Sequence, residues 1–320
     1  MMINILFFVA GLILLIKGGD WFVDGATGIA RRFHLPDIIV GATVVSIGTT
    51  LPEVMVSTTG ALQGQSAMAY GNAIGSIICN TALIAAISVA CNPGKINTKT
   101  MRVPVAFFFI SSLIYCYAAY ILGEFPRWIG FVLLGMFLFY MILNVNHGLK
   151  NPEEVEVDEK IERRALWMEL ILLIGGAALI AVGADFLVEH GTVIAQKLGV
   201  PETVIALTFV ALGTSLPELI TTITSLRKGH ASLGIGNVIG ANVFNLVLVS
   251  GISVALAPFE VPVGKMLLGY NASLVLDMPL MLIVMLLLTV PALLTKKLSR
   301  WQGIVLLAVY ASFCLFQFVA

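Results

Sequence analysis

Gly48-Thr49-Thr50-Leu51-Pro52-Glu53 places a proline and a carboxylate inside an apolar run, and Gly213-Thr214-Ser215-Leu216-Pro217-Glu218 does the same 165 positions later. The spacing holds without a gap from Gly18/Gly183 to Pro93/Pro258. Between Pro36–Asn80 and Pro201–Asn245, 15 of 45 aligned pairs are identical, among them Thr43/Thr208, Gly71-Asn72/Gly236-Asn237, Ile74-Gly75/Ile239-Gly240 and Asn80/Asn245. Self-similarity at one fixed offset is the mark of an internal duplication.

Composition decides the solvent. The 320 residues are 59% hydrophobic and 11% charged, with a mean hydropathy of +1.00, so nearly the whole chain reads as membrane-spanning segments of about 20 residues. Net charge is zero and there is no basic tract, which argues against nucleic acid as a partner. Cys79, Cys91, Cys116 and Cys314 lack CxxC or metal-ligand spacing and read as buried reduced thiols. The first apolar run has no preceding Lys or Arg and no small-x-small cleavage site, so it reads as a retained helix and not a signal peptide.

The apolar runs predict ten helices, near Ile3–Ala30, Ile38–Leu62, Ala67–Ala90, Val103–Leu122, Trp128–Asn144, Leu166–Ala195, Thr203–Leu226, Ser232–Leu256, Met278–Leu294 and Trp301–Val319. Arg127-Trp128-Ile129-Gly130 returns as Arg300-Trp301-Gln302-Gly303, offset 173, so the fourth and fifth helices match the ninth and tenth. With both termini outside, inner loops carry 14 Lys or Arg residues and outer loops only Arg127, Lys197 and Lys265. That asymmetry places the charged loop His147–Arg164 in the cytoplasm.

An odd number of helices per half makes the two copies enter the membrane from opposite sides. The expected architecture is therefore an all-α membrane protein of two inverted repeats. Residues 1–146 form the first (α-repeat 36–80), 147–164 the cytoplasmic linker, and 165–320 the second (α-repeat 201–245). Inverted repeats typically build transporters whose site lies at the bilayer midplane between interrupted helices. Pro52 and Pro217 supply the interruption, since neither can donate to the carbonyl four residues back. Freed carbonyls beside hydroxyls and a carboxylate make an oxygen-lined place for a cation.

Glu53 and Glu218 are costly at mid-membrane, about 2.5–3.5 kcal/mol each on insertion scales, and such groups usually face a polar cavity or pathway. The bland alternative is a protonated carboxyl bonded between helices. Asn80, Asn245 and Ser76 follow the GNAIGS and GNVIGA stretches on neighbouring helices; the asparagines also suit interhelical hydrogen bonding. All-oxygen donors suit Ca2+ or a small alkali ion, and the lack of a His or Cys cluster disfavours zinc, copper and iron. His34, His147, His190 and His230 fall at predicted helix ends or loops. Asp20 and Asp24 match Asp185 and Glu189, each pair at i,i+4 on one helix face; Asp277, two residues before Pro279, reads as a helix N-terminal residue near the outer surface.

Paired G-T-(T/S)-L-P-E and G-N-x-I-G motifs resemble the cation/calcium exchanger superfamily, most closely its compact prokaryotic sodium/calcium exchangers, over essentially the whole chain. The resemblance implies alternating access, with Na+ entry driving Ca2+ export through one shared site. Carried over to this sequence, Glu53, Glu218 and the carbonyls of Thr49 and Thr214 would hold Ca2+. Na+ would use these with the backbone oxygens of Ser46 and Ala211 and the side chains of Thr49, Ser76 and Thr214. Asn80 and Asn245 would line the middle, with Thr50 and Ser215 in support. Asp20, Asp24, Asp185 and Glu189 would line an ion path on two long sliding helices; otherwise they sit near polar helix ends, paired with Lys17 or solvent. The sequence departs from the family in two places: Ala241 stands opposite Ser76, and Asn245 replaces an aspartate of the potassium-cotransporting branch. Two carboxylates balance one Ca2+, whereas three Na+ would leave excess positive charge in a low-dielectric site.

The expectation is thus a multi-pass inner-membrane antiporter, acting as a monomer on small cations in the lipid bilayer, with no cofactor, nucleotide or enzymatic activity. A Ca2+/H+ antiporter of the same superfamily is the nearest rival, and a cation channel is more distant. An intramembrane hydrolase lacks a His placed to activate Thr50 or Ser215, and there is no P-loop.

Overall fold

The computed structural model describes residues 2–150, 165–198, 213–263, 266–267 and 269–319. Ala211, most of the charged linker and the first half of the expected helix Thr203–Leu226 lie outside the described residues.

Helix α1 (Met2–Arg32) leads into α2 (Asp37–Thr49) and α3 (Leu51–Leu62), two halves of one span bent by 47°. Next come α4 (Met68–Cys91), α5 (Thr98–Leu122), α6 (Arg127–Lys150) and α7 (Leu166–Lys197). They are followed by α8 (Leu216–Arg227), α9 (Ala231–Leu256), α10 (Ser273–Thr295) and α11 (Arg300–Val319). Among the described residues, seven helices are long and apolar enough to cross a membrane, or eight with the bent pair counted as one span. The protein is an all-helical, multi-pass membrane protein. Its surface agrees, since Leu113 and Ile121 are each 71% exposed and Leu294 is 78% exposed, an apolar exterior that suits lipid and not water.

The core sits on α4 and α9, whose apolar windows are 72% and 83% buried, against 22% for α1 and α7. The peripheral α1 and α7 cross in contact along a glycine stripe. A Cβ at Gly11 would lie 2.9 Å from the Gly183 carbonyl oxygen, and one at Gly18 would lie 2.9 Å from that of Gly176. Residue numbers rise on one helix as they fall on the other, so the pair is antiparallel. Small residues at such crossings let backbones approach, which is how apolar helices gain contact in lipid.

These contacts come in matched pairs. The duplication carries Gly11 to Gly176 and Gly18 to Gly183, so each glycine contact is the image of the other. Among the described residues there are six two-residue strands, and four of them repeat the pattern. β1 (Gly94–Lys95) pairs antiparallel with β6 (Lys297–Leu298), and β2 (Glu124–Phe125) with β3 (Phe259–Glu260); β4 (Met266–Leu267) and β5 (Tyr270–Asn271) form a local hairpin. Likewise Gly130 abuts Ala255 while its counterpart Gly303 abuts Ala90.

Helix ends follow local capping. Asn97 Oδ1 accepts the Lys99 N–H at 3.1 Å, and Asn271 Oδ1 accepts that of Ser273 at 3.1 Å. Asn-capped starts satisfy otherwise orphaned backbone donors. The second cap starts α10 at Ser273, and Asp277 lies near its N-terminus, directly before the switch from π to α geometry at Met278, where its Oδ1 accepts from Gln317 Nε2 at 3.4 Å; this agrees with the helix N-terminal position expected of it. Two expectations change. Cys91 is exposed while Cys79 is buried, and His190 lies within α7, stacked on Phe7 at 4.8 Å.

Candidate cation site

Thr50 (φ −84°, ψ −3°) and Ser215 (φ −89°, ψ 3°) hold the same backbone conformation at the two breaks. Each is followed by Leu-Pro-Glu in the first turn of a new helix, where proline's missing N–H costs nothing. Gly48 therefore keeps a carbonyl that Pro52 cannot bond. Glu53 and Glu218 occupy the first turns of α3 and α8, the electropositive end that favours a carboxylate. Both are fully buried, as are Thr50, Ser46, Asn80 and Asn245, with Ser215 and Thr49 at 1% and 2% exposure.

The two breaks face each other. Thr49 and Thr50 of the first copy lie beside the Glu218 carboxyl of the second, and the two carboxyl groups are close enough to repel when both are charged. α3 packs against the segment of α9 that opens at Asn245, and α8 against the segment of α4 that opens at Asn80. In both α4 and α9 the helix widens to π geometry starting at that asparagine, over Asn80–Ala85 and Asn245–Val249, a deviation that recurs at functional sites. Ser76 precedes Asn80 by one turn and is 5% exposed.

The chemistry of this cluster is one-sided. Both oxygens of Glu53 and of Glu218, the hydroxyls of Thr50 and Ser215, and the side-chain amides of Asn80 and Asn245 are buried without a hydrogen-bond partner among the described residues. A single buried polar atom left unmade costs about 1–3 kcal/mol, and native interiors hold only a few. So many oxygens converging beside two carboxyls fit a hard cation. Among the described residues no group of three His, Cys, Asp or Glu side chains forms a metal centre, so amide, hydroxyl and carbonyl oxygens would complete any shell. The Ser46 carbonyl already accepts the Thr50 N–H at 3.0 Å, which leaves one lone pair for a ligand.

Two residues escaped the sequence reading. Asn237 Oδ1 accepts the Thr49 hydroxyl at 3.1 Å. Ser46 Oγ lies 2.8 Å from Gly41 O, 3.0 Å from Asn237 O and 3.3 Å from Asn237 Oδ1, one proton among three acceptors. The mirror contact is looser: Thr214 donates to Asn72 Oδ1 at 3.4 Å, while Asn72 Nδ2 donates to Ser57 Oγ at 2.8 Å and Glu53 O at 3.3 Å. Each asparagine thus reaches across to a threonine of the other copy. Their identity in both repeats was the available signal.

The outlying acids divide. Lys228 Nζ meets Asp24 Oδ1 at 2.7 Å and Asp20 Oδ1 at 3.7 Å, so the lysine that pairs with them is not Lys17. Asp185 borders a cavity of about 830 Å³ that runs past Pro52, Met55 and Ala184 to Gly213 and Thr214, and Glu189 is exposed.

A family model described as sodium/calcium exchanger protein matches residues 3–146 and 168–319. An uncharacterised membrane protein of Methanocaldococcus jannaschii is 35% identical over 305 residues, 95% of this chain and 94% of that protein. The sodium/calcium exchanger MaX1 of Methanosarcina acetivorans is 29% identical over 354 residues, 99% of each chain. A solved structure of the sodium-calcium exchanger NCX_Mj, soaked with Na+ and Sr2+, superimposes with a TM-score of 0.81 at 32% identity, covering 97% of both chains.

Proposed function

The chain belongs to the sodium/calcium exchanger family, and from that premise we propose that it moves Ca2+ across the cell membrane in exchange for Na+, by alternating access at the Glu53/Glu218 site. The observation that carries this reading is the set of partnerless buried oxygens around two facing carboxyls, contributed equally by the two copies. Glu53, Glu218, Thr49 and Thr214 would hold Ca2+. Ser46, Ser76 and Ala211 would complete the Na+ positions, and Asn80, Asn245, Thr50 and Ser215 would close the shell.

The architecture proposed for it is ten spans in two inverted repeats, residues 1–146 and 165–320, joined by a cytoplasmic linker at 147–164, with both termini outside. The matched contacts of α1 with α7 and of β1/β6 with β2/β3 support this arrangement. Exchange follows from competition. If both ions need the same glutamates, occupancy by one disfavours the other, and a site with two bare charges resists crossing the apolar core.

Ca2+ binding to the purified protein in detergent tests the shared site. The expected result is that Na+ displaces Ca2+ steeply, with a Hill slope above one, while K+ at the same ionic strength leaves it bound. Displacement by both ions alike would reduce the effect to screening and defeat the shared-site reading.

A further inference from the structure

If the two copies were alike, an inverted repeat would leave its two access states equal in energy, so any preference must come from positions where the copies differ. The packing of the peripheral helices differs sharply between them. On one side Gly19 of α1 lets α8 come close: a Cβ there would lie 2.8 Å from Ile220 Cγ2 and 2.8 Å from Thr224 Oγ1. The repeat equivalents are Ala184 on α7 and Met55 and Thr59 on α3. Ala184 and Met55 do not close; both border the 830 Å³ cavity that leads to Thr214.

Charge differs at the same place. Lys228, just past the end of α8, donates to the Asp20 carbonyl at 2.9 Å and to Asp24 Oδ1 at 2.7 Å, with 27% of its side chain exposed. Its equivalent in the first copy is Gln63, which is exposed. Asp185 and Glu189, the equivalents of Asp20 and Asp24, have no ion pair among the described residues. The tight Asn237 clamp on Ser46 and Thr49 and the loose Asn72 contact to Thr214 follow the same division.

Resting on the exchanger reading, we infer that Lys228 is a positioning residue: it latches α1 to α8 through Asp20 and Asp24, and so holds shut the side that the basic residues assign to the cytoplasm. Gln63 leaves the opposite side without such a latch. The asymmetry biases the protein toward the state open to the exterior, and cytoplasmic opening requires the ion pair to part. A ligand or a residue shifts such an equilibrium only by its differential contacts in the two states, and this pair is a contact of one state.

The test uses Thr224→Cys, buried in the α1–α8 seam, in full-length protein whose four native cysteines are replaced by serine or alanine. A membrane-impermeant maleimide is applied from the cytoplasmic face of inside-out vesicles. Lys228→Gln is expected to speed labelling about two- to fivefold, the upper part of the range for loss of a partly exposed ion pair. Lys228→Arg should restore the slow rate, and Asp24→Asn should reproduce the fast one without adding to Lys228→Gln. Gln63→Lys added to Lys228→Gln should leave it fast. Equal rates with and without Lys228→Gln or Asp24→Asn, in protein that elutes as a single folded species and still exchanges ions, would overturn the latch. Failure of Na+-driven Ca2+ movement in the native chain would instead overturn the exchanger reading, and the labelling rates do not depend on it.

Discussion

Under the proposed shared site, Glu53→Gln and Glu218→Gln are each expected to abolish Ca2+ transport, lowering the rate at subsaturating Ca2+ by at least about 100-fold, or about 2.7 kcal/mol. The substitution keeps the shape of the side chain and removes one of the two negative charges that would face the ion in the proposed site. Among the described residues no third carboxylate joins the two to compensate, and Asn80 and Asn245 carry none. Opposite charges in a buried site interact far more strongly than in water, so a divalent ion suffers more from the loss than a monovalent one. Both variants should fold normally, since an amide is easier to bury than a carboxylate. Ca2+ binding and Ca2+ flux measured on the same preparation check this. Either variant retaining more than about a tenth of native flux would mean that its glutamate is not an ion ligand.

Gly176→Val is expected to prevent the long helices from closing. A Cβ at Gly176 would collide with the Phe22 backbone and lie 2.8 Å from the Gly18 carbonyl oxygen, so α1 and α7 must separate along their whole crossing. Overpacking a well-packed core costs about 1–3 kcal/mol; here the obstacle is backbone, which cannot rotate away, and the expected cost lies at or above the upper end. The neighbouring Gly175→Val is the control, because a Cβ there meets only the Trp21 ring at 3.8 Å, ordinary contact. Size-exclusion profiles and thermal melts should show Gly176→Val aggregated or destabilised by many degrees, and Gly175→Val close to native. Similar behaviour of the two would show that the glycine stripe does not set the helix crossing.

Much of this fold is legible along the chain because its signals are local. Hydropathy marks the spans, Pro52 and Pro217 mark the breaks, and the offset of 165 marks the duplication. The candidate site was legible for a related reason: a carboxylate within an apolar span is conspicuous wherever it falls. What stayed hidden depends on tertiary distance. Asn237 and Thr49 are 188 positions apart, and nothing local distinguishes an asparagine that clamps a threonine from one that lines a cavity. Lys228 reads as a loop charge until α8 is laid against α1. The π segments at Asn80 and Asn245 leave no mark in hydropathy, since one extra residue in a turn barely shifts the apolar period.

The most direct test of the central claim is calcium-isotope uptake into proteoliposomes loaded with Na+ and diluted into Na+-free buffer, beside vesicles carrying only a pH gradient. Uptake that requires internal Na+, ignores the pH gradient and disappears in Glu53→Gln and Glu218→Gln is the predicted result. Uptake driven by the pH gradient without Na+ would contradict it and make the protein a proton-coupled antiporter.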